Sequence, residues 1–207
     1  MSLAQVEGIV RWTGGLFAAL TFALMYAGIW QGTRRPIGKT AGSSPGLLHS
    51  PLFYVAASIV FFGACVLGWR PLPLALPPGG RVVALLLGTV LYFPGMAFTL
   101  WGRLALGRMY FVSTGMGAQL FDNHQLITHG PFAIVRHPMY FGLTVAAVGG
   151  LFLFQTWTML IFLMLPFGLA RRARVEEQAL AAAFGEQWRD YCRRVPALMP
   201  RLRGKRR

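Results

Sequence analysis

Acid is what this sequence has least of: six Asp and Glu stand against twenty Lys and Arg in 207 residues, a formal net charge of +14. Charge of either sign is also scarce, at 13% of residues, about half the share of an ordinary soluble domain. Hydrophobic residues make up 55% and the mean hydropathy is +0.52, which argues against a soluble enzyme. A basic excess can serve nucleic acid by neutralising phosphates, but here eleven of the twenty basic residues lie after Leu169 and the rest are scattered between long uncharged stretches. Membrane proteins deploy charge in that way, and no nucleic-acid partner is expected.

Cysteine is nearly missing. Cys65 lies in an apolar run and Cys192 in the basic tail, so neither a disulfide framework nor a CxxC metal site can form. His124, His129 and His137 are not at the fixed helical spacing of a zinc site, and no metal is expected. The first eleven residues show no short apolar core with a cleavage site, so no signal peptide is expected. Gly115-Met116-Gly117 fails as a dinucleotide fingerprint because Leu120 stands where a third glycine belongs. No span interior is charged, which argues against an ion path or proton relay.

Uncharged runs of 18 or more are what is present: residues 12–30, 51–69, 82–102 and 139–169. As one helix the last would rise about 46 Å, too long for a hydrocarbon core of about 30 Å. A helical hairpin turning near residues 154–157 accommodates it and makes five spans. Five spans put 17 basic residues on one side and three, Arg11, Arg70 and Arg81, on the other, whereas a single long fourth span gives 14 to 6. The positive-inside rule therefore places the N-terminus outside and the C-terminus in the cytoplasm. Trp12, Trp30, Trp69 and Trp101 mark run ends as interfacial anchors, and Pro94 and Pro166 are expected to kink their spans. The fold expected is all-α: a polytopic single membrane domain of about five transmembrane helices, including a C-terminal hairpin, plus an amphipathic cytoplasmic C-terminal helix. Residues 1–119 anchor it and 120–200 carry the chemistry.

Two cytoplasmic segments are rich in polar residues, and the hairpin brings them out side by side at one membrane face. The first, residues 122–142, reads DNHQLITHGPFAIVRHPMYFG. Its Gly130-Pro131 turn precedes Arg136 and His137, and Pro138 suits the first turn of a helix. Residues just before that helix would sit at its positive end, a setting for an anionic ligand group. An interfacial loop that only meets lipid phosphate is the plainer alternative. The second segment, residues 170–196, carries Leu180, Phe184, Trp188, Tyr191 and Val195 at helical spacing, a stripe expected to lie along the inner interface with its basic residues toward anionic lipid. Arg172 and Glu176 share a face, as do Arg174 and Glu177. Such pairs are either solvated helix contacts or a site in which Glu176 serves a cofactor and Arg172 an anionic substrate.

Together, HQLITHGPFAIVRHPMYFG, an apolar hairpin and RRARVEEQALAAAFGEQWRDYCRRVP resemble the isoprenylcysteine carboxyl methyltransferase and phospholipid methyltransferase superfamily of integral-membrane enzymes. The likeness covers about residues 120–200. It implies a methyltransferase using S-adenosylmethionine, with a lipophilic acceptor arriving from the bilayer. Cofactor contacts would fall on His124, Gln125, Leu126, Ile127, Phe132, His137, Pro138, Met139, Tyr140 and Glu176, with Arg172 orienting the substrate. Phe132 departs from a position where the family often has Tyr, so any hydroxyl contact there is lost. A carboxylate or thiolate acceptor needs no general base, whereas an amine would require His137 or His124. The WRDYCRRVP stretch also resembles the end of NADPH-dependent membrane sterol reductases, although a 2′-phosphate calls for more basic residues than Arg136 in the loop. A non-enzymatic membrane adaptor is the third reading.

Overall fold

The computed structural model describes residues 1–32, 34–35, 37–42, 50–110 and 117–201. Gly115 and Met116 of the rejected fingerprint lie outside these residues. The chain is predominantly helical, in the order α1 (Leu3–Gly32), β1 (Ile37–Gly42), α2 (Pro51–Leu67), α3 (Pro78–Leu106), β2 (Gly117–Phe121), α4 (Pro138–Phe154), α5 (Trp157–Phe162) and α6 (Leu165–Arg194), with 3-10 turns at Gly107–Met109 and Gly130–Ala133. One feature departs from the all-α expectation. β1 and β2 form a two-stranded antiparallel ribbon pairing Thr40 with Gln119 and Gly42 with Gly117.

Two helices, Leu3–Gly32 and the continuous Pro78–Met109 stretch, are long and apolar enough to cross a membrane, and two shorter apolar helices accompany them at Leu52–Leu67 and Pro138–Phe154. Leu16 on α1, Ile59, Val60 and Val66 on α2, and Leu86 and Val90 on α3 point outward with more than half their surface exposed. An apolar exterior on this scale suits lipid rather than water.

α3 and α4 pack along a seam of small residues. Gly95 faces Gly142 and Ala146 so closely that a β-carbon on Gly95 would lie 2.6 Å from the Ala146 nitrogen, and one on Gly149 would lie 2.3 Å from the Tyr92 nitrogen. Small residues are how helices gain dispersion contact in lipid, where burial from water supplies no drive. Tyr92, buried in the seam, donates its hydroxyl to the Gly14 carbonyl at 3.0 Å and so ties α1 to the pair. At the end of the seam where α4 finishes, Arg81 meets Glu7, and Arg11 Nε donates to the Leu153 carbonyl at 2.7 Å. That carbonyl belongs to the last turn of α4, where a cation suits the helix dipole.

α4 stops at Phe154 because Gln155 takes a left-handed conformation, φ 51°. Thr156 then caps α5, its hydroxyl accepting from the Met159 N–H at 3.4 Å. Pro166, expected to kink a span, instead sits in the first turn of α6, where its missing N–H leaves no bond unmade. The break in α6 falls at Gly185, φ 51° and ψ −118°, a conformation open to glycine.

The apolar stripe of α6 does not lie against lipid. Leu180 and Phe184 pack with Ala179 on Ala118 and Leu120 of β2, and Trp188, Tyr191 and Val195 pack with Leu126 of the loop before α4. The stripe folds the ribbon and loop onto the helix. Its charged residues Arg171, Arg174, Arg189 and Arg193 remain exposed.

Candidate active site

The loop between β2 and α4 is shaped by Gly130, whose φ of 61° starts the Gly130–Ala133 turn. That turn buries Phe132 and Val135. The loop is then clamped to the chain after α6: the Arg136 N–H donates to the Pro196 carbonyl at 2.8 Å and the His137 N–H to the Ala197 carbonyl at 3.0 Å. Tyr191 adds a hydroxyl bond to the Phe132 carbonyl at 2.6 Å. Segments some 60 residues apart in sequence thereby form two sides of one space.

That space is a cavity of about 860 Å³, counting its open mouth, within the range of small-molecule sites. Every residue that the resemblance assigned to cofactor or substrate lines it: His124, Gln125, Leu126, Ile127, Phe132, His137, Pro138, Met139, Tyr140, Arg172 and Glu176. The wall also includes residues that carried no sequence signal, namely Met25 of α1, Leu106 and Tyr110 after the third long run, and Leu143 and Leu169.

A chain of charges joins α4 to α6 across this cavity. Glu176 Oε1 accepts from the Tyr140 hydroxyl and from Arg172 Nε at 3.2 Å, and its Oε2 lies 3.6 Å from His137 Nδ1. The other ring nitrogen, Nε2, is 3.0 Å from Glu177 Oε1. Glu177, expected beside Arg174, turns instead to Arg136, whose Nε and Nη2 donate to it at 3.0 and 2.9 Å. Arg136 Nη1 also donates to the Val195 carbonyl at 2.8 Å, capping the end of α6. The His137 ring stacks on Tyr140, centroids 5.4 Å apart and nearly parallel, and the Arg172 guanidinium lies 5.7 Å from the same Tyr140 ring.

The electrostatics follow from these neighbours. Burial pushes the His137 pKa down, but bonds to Glu176 and Glu177 more than reverse this and hold it above the ordinary histidine value. A ring nitrogen close to an ionised carboxylate favours carrying a proton, so a carboxylate near each nitrogen favours the protonated ring. Burial alone would raise the Glu177 pKa, yet bonds from His137 and Arg136 hold it below the usual carboxylate range. Arg172, despite burial, is held more firmly protonated by Tyr140 and Glu176. His124 is the opposite case: burial, aided by Arg35, lowers it to about 4, so it is neutral at pH 7.

Sequence reasoning missed Glu177 and Tyr110. Glu177 could have been found from its adjacency to Glu176, but a helical pairing rule directed it to Arg174. Tyr110 follows the third run with no motif around it.

The phospholipid methyltransferase family profile matches residues 83–187, half of the chain. The chain belongs to the phospholipid methyltransferase family. Over 82 residues this family member is 37% identical to the cobalt-zinc-cadmium resistance protein CzcN of Cupriavidus metallidurans, covering 39% of this chain and 38% of that one. Over 80 residues it is 35% identical to the protein-S-isoprenylcysteine O-methyltransferase of Schizosaccharomyces pombe, 38% of this chain and 34% of that one. Over 155 residues it is 32% identical to methanethiol S-methyltransferase 2 of Bradyrhizobium diazoefficiens, 67% of this chain and 55% of that one. The matches thus span about a third to just over half the length of these relatives. With its long apolar helices and apolar exterior, this phospholipid methyltransferase family member is an integral membrane protein.

Proposed function

We propose that the chain is an S-adenosylmethionine-dependent methyltransferase acting on a lipophilic acceptor at the cytoplasmic membrane face, in the manner of isoprenylcysteine carboxyl methyltransferases. The observation that carries this reading is the convergence of the 124–127 loop, the turn at Arg136–Tyr140 and the Arg172/Glu176 pair on one cavity. α1, α2, α3, α4 and α5 with the first turns of α6 are the five spans, the last two forming the hairpin, with the N-terminus outside and the C-terminus in the cytoplasm. Residues 1–119 anchor the protein and 120–200 supply the chemistry, although Met25 and Tyr110 of the anchor also contribute wall. The exposed arginines of α6 meet anionic lipid.

The donor set suits the cofactor. Glu176, engaged by Tyr140 and Arg172, lines the cavity as an ionised carboxylate, a group with about four acceptor sites and the chemistry that a ligand N–H or O–H calls for. The aromatic ring of Trp188 on the cavity wall suits a sulfonium cation. His124, Gln125, Leu126, Ile127, Phe132, Pro138 and Met139 complete the enclosure. When bound, S-adenosylmethionine supplies an electrophilic methyl group. The residues' part is to position the acceptor and exclude water, because in-line displacement at a sulfonium needs orientation more than a covalent nucleophile. Arg172 orients an anionic acceptor. His137, set between two carboxylates that favour its protonated form, fixes α4 against α6. His124, with a pKa of about 4, is too weak a base for an ammonium group.

Calorimetry in detergent tests the reading. Saturable binding of S-adenosylhomocysteine with no binding of NADPH is the expected result. NADPH binding without S-adenosylhomocysteine binding would move the chain to the reductase reading.

A further inference from the structure

Two apolar clusters contribute to the cavity wall. In one, Leu126 packs with Trp188 and Tyr191. In the other, Tyr110 packs with Met139 and Tyr140 among Met25 of α1, Leu106 of α3 and Leu169 of α6. Arg172 and Glu176 line the same cavity. A lipophilic acceptor suits the cluster formed with α1 and α3, so the polar groups among those side chains bear on what kind of head it carries.

Tyr110 is such a group. Only 7% of it is exposed, and its ring is held firmly. The Arg103 guanidinium lies 4.5 Å from the ring centroid, and Arg103 is itself tied by Nε to the Leu24 carbonyl of α1 and by Nη1 to the Gly107 carbonyl, both at 3.3 Å. Gly28 makes room for this arrangement: a β-carbon there would lie 2.2 Å from Arg103 Nη2 and 2.7 Å from Tyr110 Cδ1. Tyr110 lines the cavity, and among the described residues no protein group is seen hydrogen-bonded to its hydroxyl. Burial raises its pKa against the pull of Arg172 and Arg103, so the hydroxyl keeps its proton and remains a donor.

We propose that Tyr110 is an acceptor-binding residue which, with Arg172, donates to an anionic oxygen, carboxylate or phosphodiester, on a lipophilic acceptor. A phenol and a guanidinium lining one cavity can give such an oxygen two donors of different geometry, and charge-assisted bonds are strong where burial limits water. The inference rests on the methyltransferase reading and adds a residue to it.

Tyr110→Phe tests it, because the ring and its contact with Arg103 are kept and only the hydroxyl is lost. Binding of three probes is measured in detergent with S-adenosylhomocysteine present: an N-acetyl-S-prenylcysteine, its carboxamide, and a lysophosphatidylethanolamine. The expected result is about tenfold weaker binding of the carboxylate or the phosphodiester probe, whichever the unsubstituted protein prefers. Affinity for the carboxamide and for S-adenosylhomocysteine stays unchanged. Binding of neither anionic probe to the unsubstituted protein, an equal loss for the carboxamide, a loss of S-adenosylhomocysteine affinity, or no change at all would overturn the proposal. Failure of the unsubstituted protein to bind S-adenosylhomocysteine would instead remove the methyltransferase reading, and this inference with it.

Discussion

α4 is held on two sides by opposite means. Toward α3 it presents glycine and alanine, and the backbones approach until no side chain fits between them. Toward α6 it presents His137 and Tyr140, which reach Glu176 and Glu177 through hydrogen bonds. Small residues close space and leave nothing to react, whereas long polar ones bridge space and leave a cavity beside the bridge. The site thus lies where the glycine seam gives way to charge, with the seam as the fixed wall against which α6 and the loop are set.

The largest expected effect breaks the seam. A β-carbon at Gly142 would lie 2.4 Å from Thr99 Oγ1 and 2.6 Å from the Gly95 carbonyl, both on packed α3. Gly142→Leu should therefore cost about 3 kcal/mol or more, read as loss of the monodisperse peak on size exclusion or a collapse of the thermal midpoint.

Next comes the bridge. Glu176→Gln keeps the shape but loses a charged acceptor, a bond worth about 1.5–3 kcal/mol, so S-adenosylhomocysteine affinity should fall about tenfold to a hundredfold by calorimetry while the seam stays intact. Arg172→Ala should leave that affinity nearly unchanged and reduce turnover of an anionic acceptor. If both variants bind and turn over normally, the bridge is only a solvated helix contact.

Much of this contrast was legible in the sequence. The small residues of 142–150, the Pro138 helix start and the i, i+4 pair of Arg172 and Glu176 are local patterns, and local geometry determines them. The partners of Glu177 were not legible, because Arg136 and His137 reach it only after the loop is clamped to the Pro196 and Ala197 carbonyls. The ribbon was missed for a related reason: Gly117–Phe121 is a short strand whose pairing partner lies across α2 and α3. That ribbon also explains why the α6 stripe packs on protein and not on lipid. Pro166 shows the limit of reading a run without its breaks, since the helix boundary at Leu165 turned an expected kink into a helix start.

A smaller effect is expected from pH. His137, raised above 6.5, lends stability that is complete below pH 6.5 and lost as pH rises through its folded value. Glu177, lowered below 4.5, lends stability present above pH 4.5 and lost as pH falls through its folded value. His124, lowered to about 4, resists protonation only in the fold, so stability also falls as pH drops from 6.5 toward 4. Thermal unfolding of the ligand-free protein against pH should show His124→Gln flattening the acid limb and Glu177→Gln moving the alkaline loss to lower pH. The smallest effect belongs to the far end of the seam: Arg81→Gln removes the Glu7 pair and should leave S-adenosylhomocysteine affinity unchanged.

Hydrogen exchange read by mass spectrometry, with and without S-adenosylhomocysteine, tests the central claim most directly, because it reports both cavity walls and the seam in one experiment. Ligand should slow exchange in residues 124–140 and 172–191 together and leave residues 81–95 unchanged. Protection confined to one of the two walls, or absent from both, would contradict a shared site between α4 and α6.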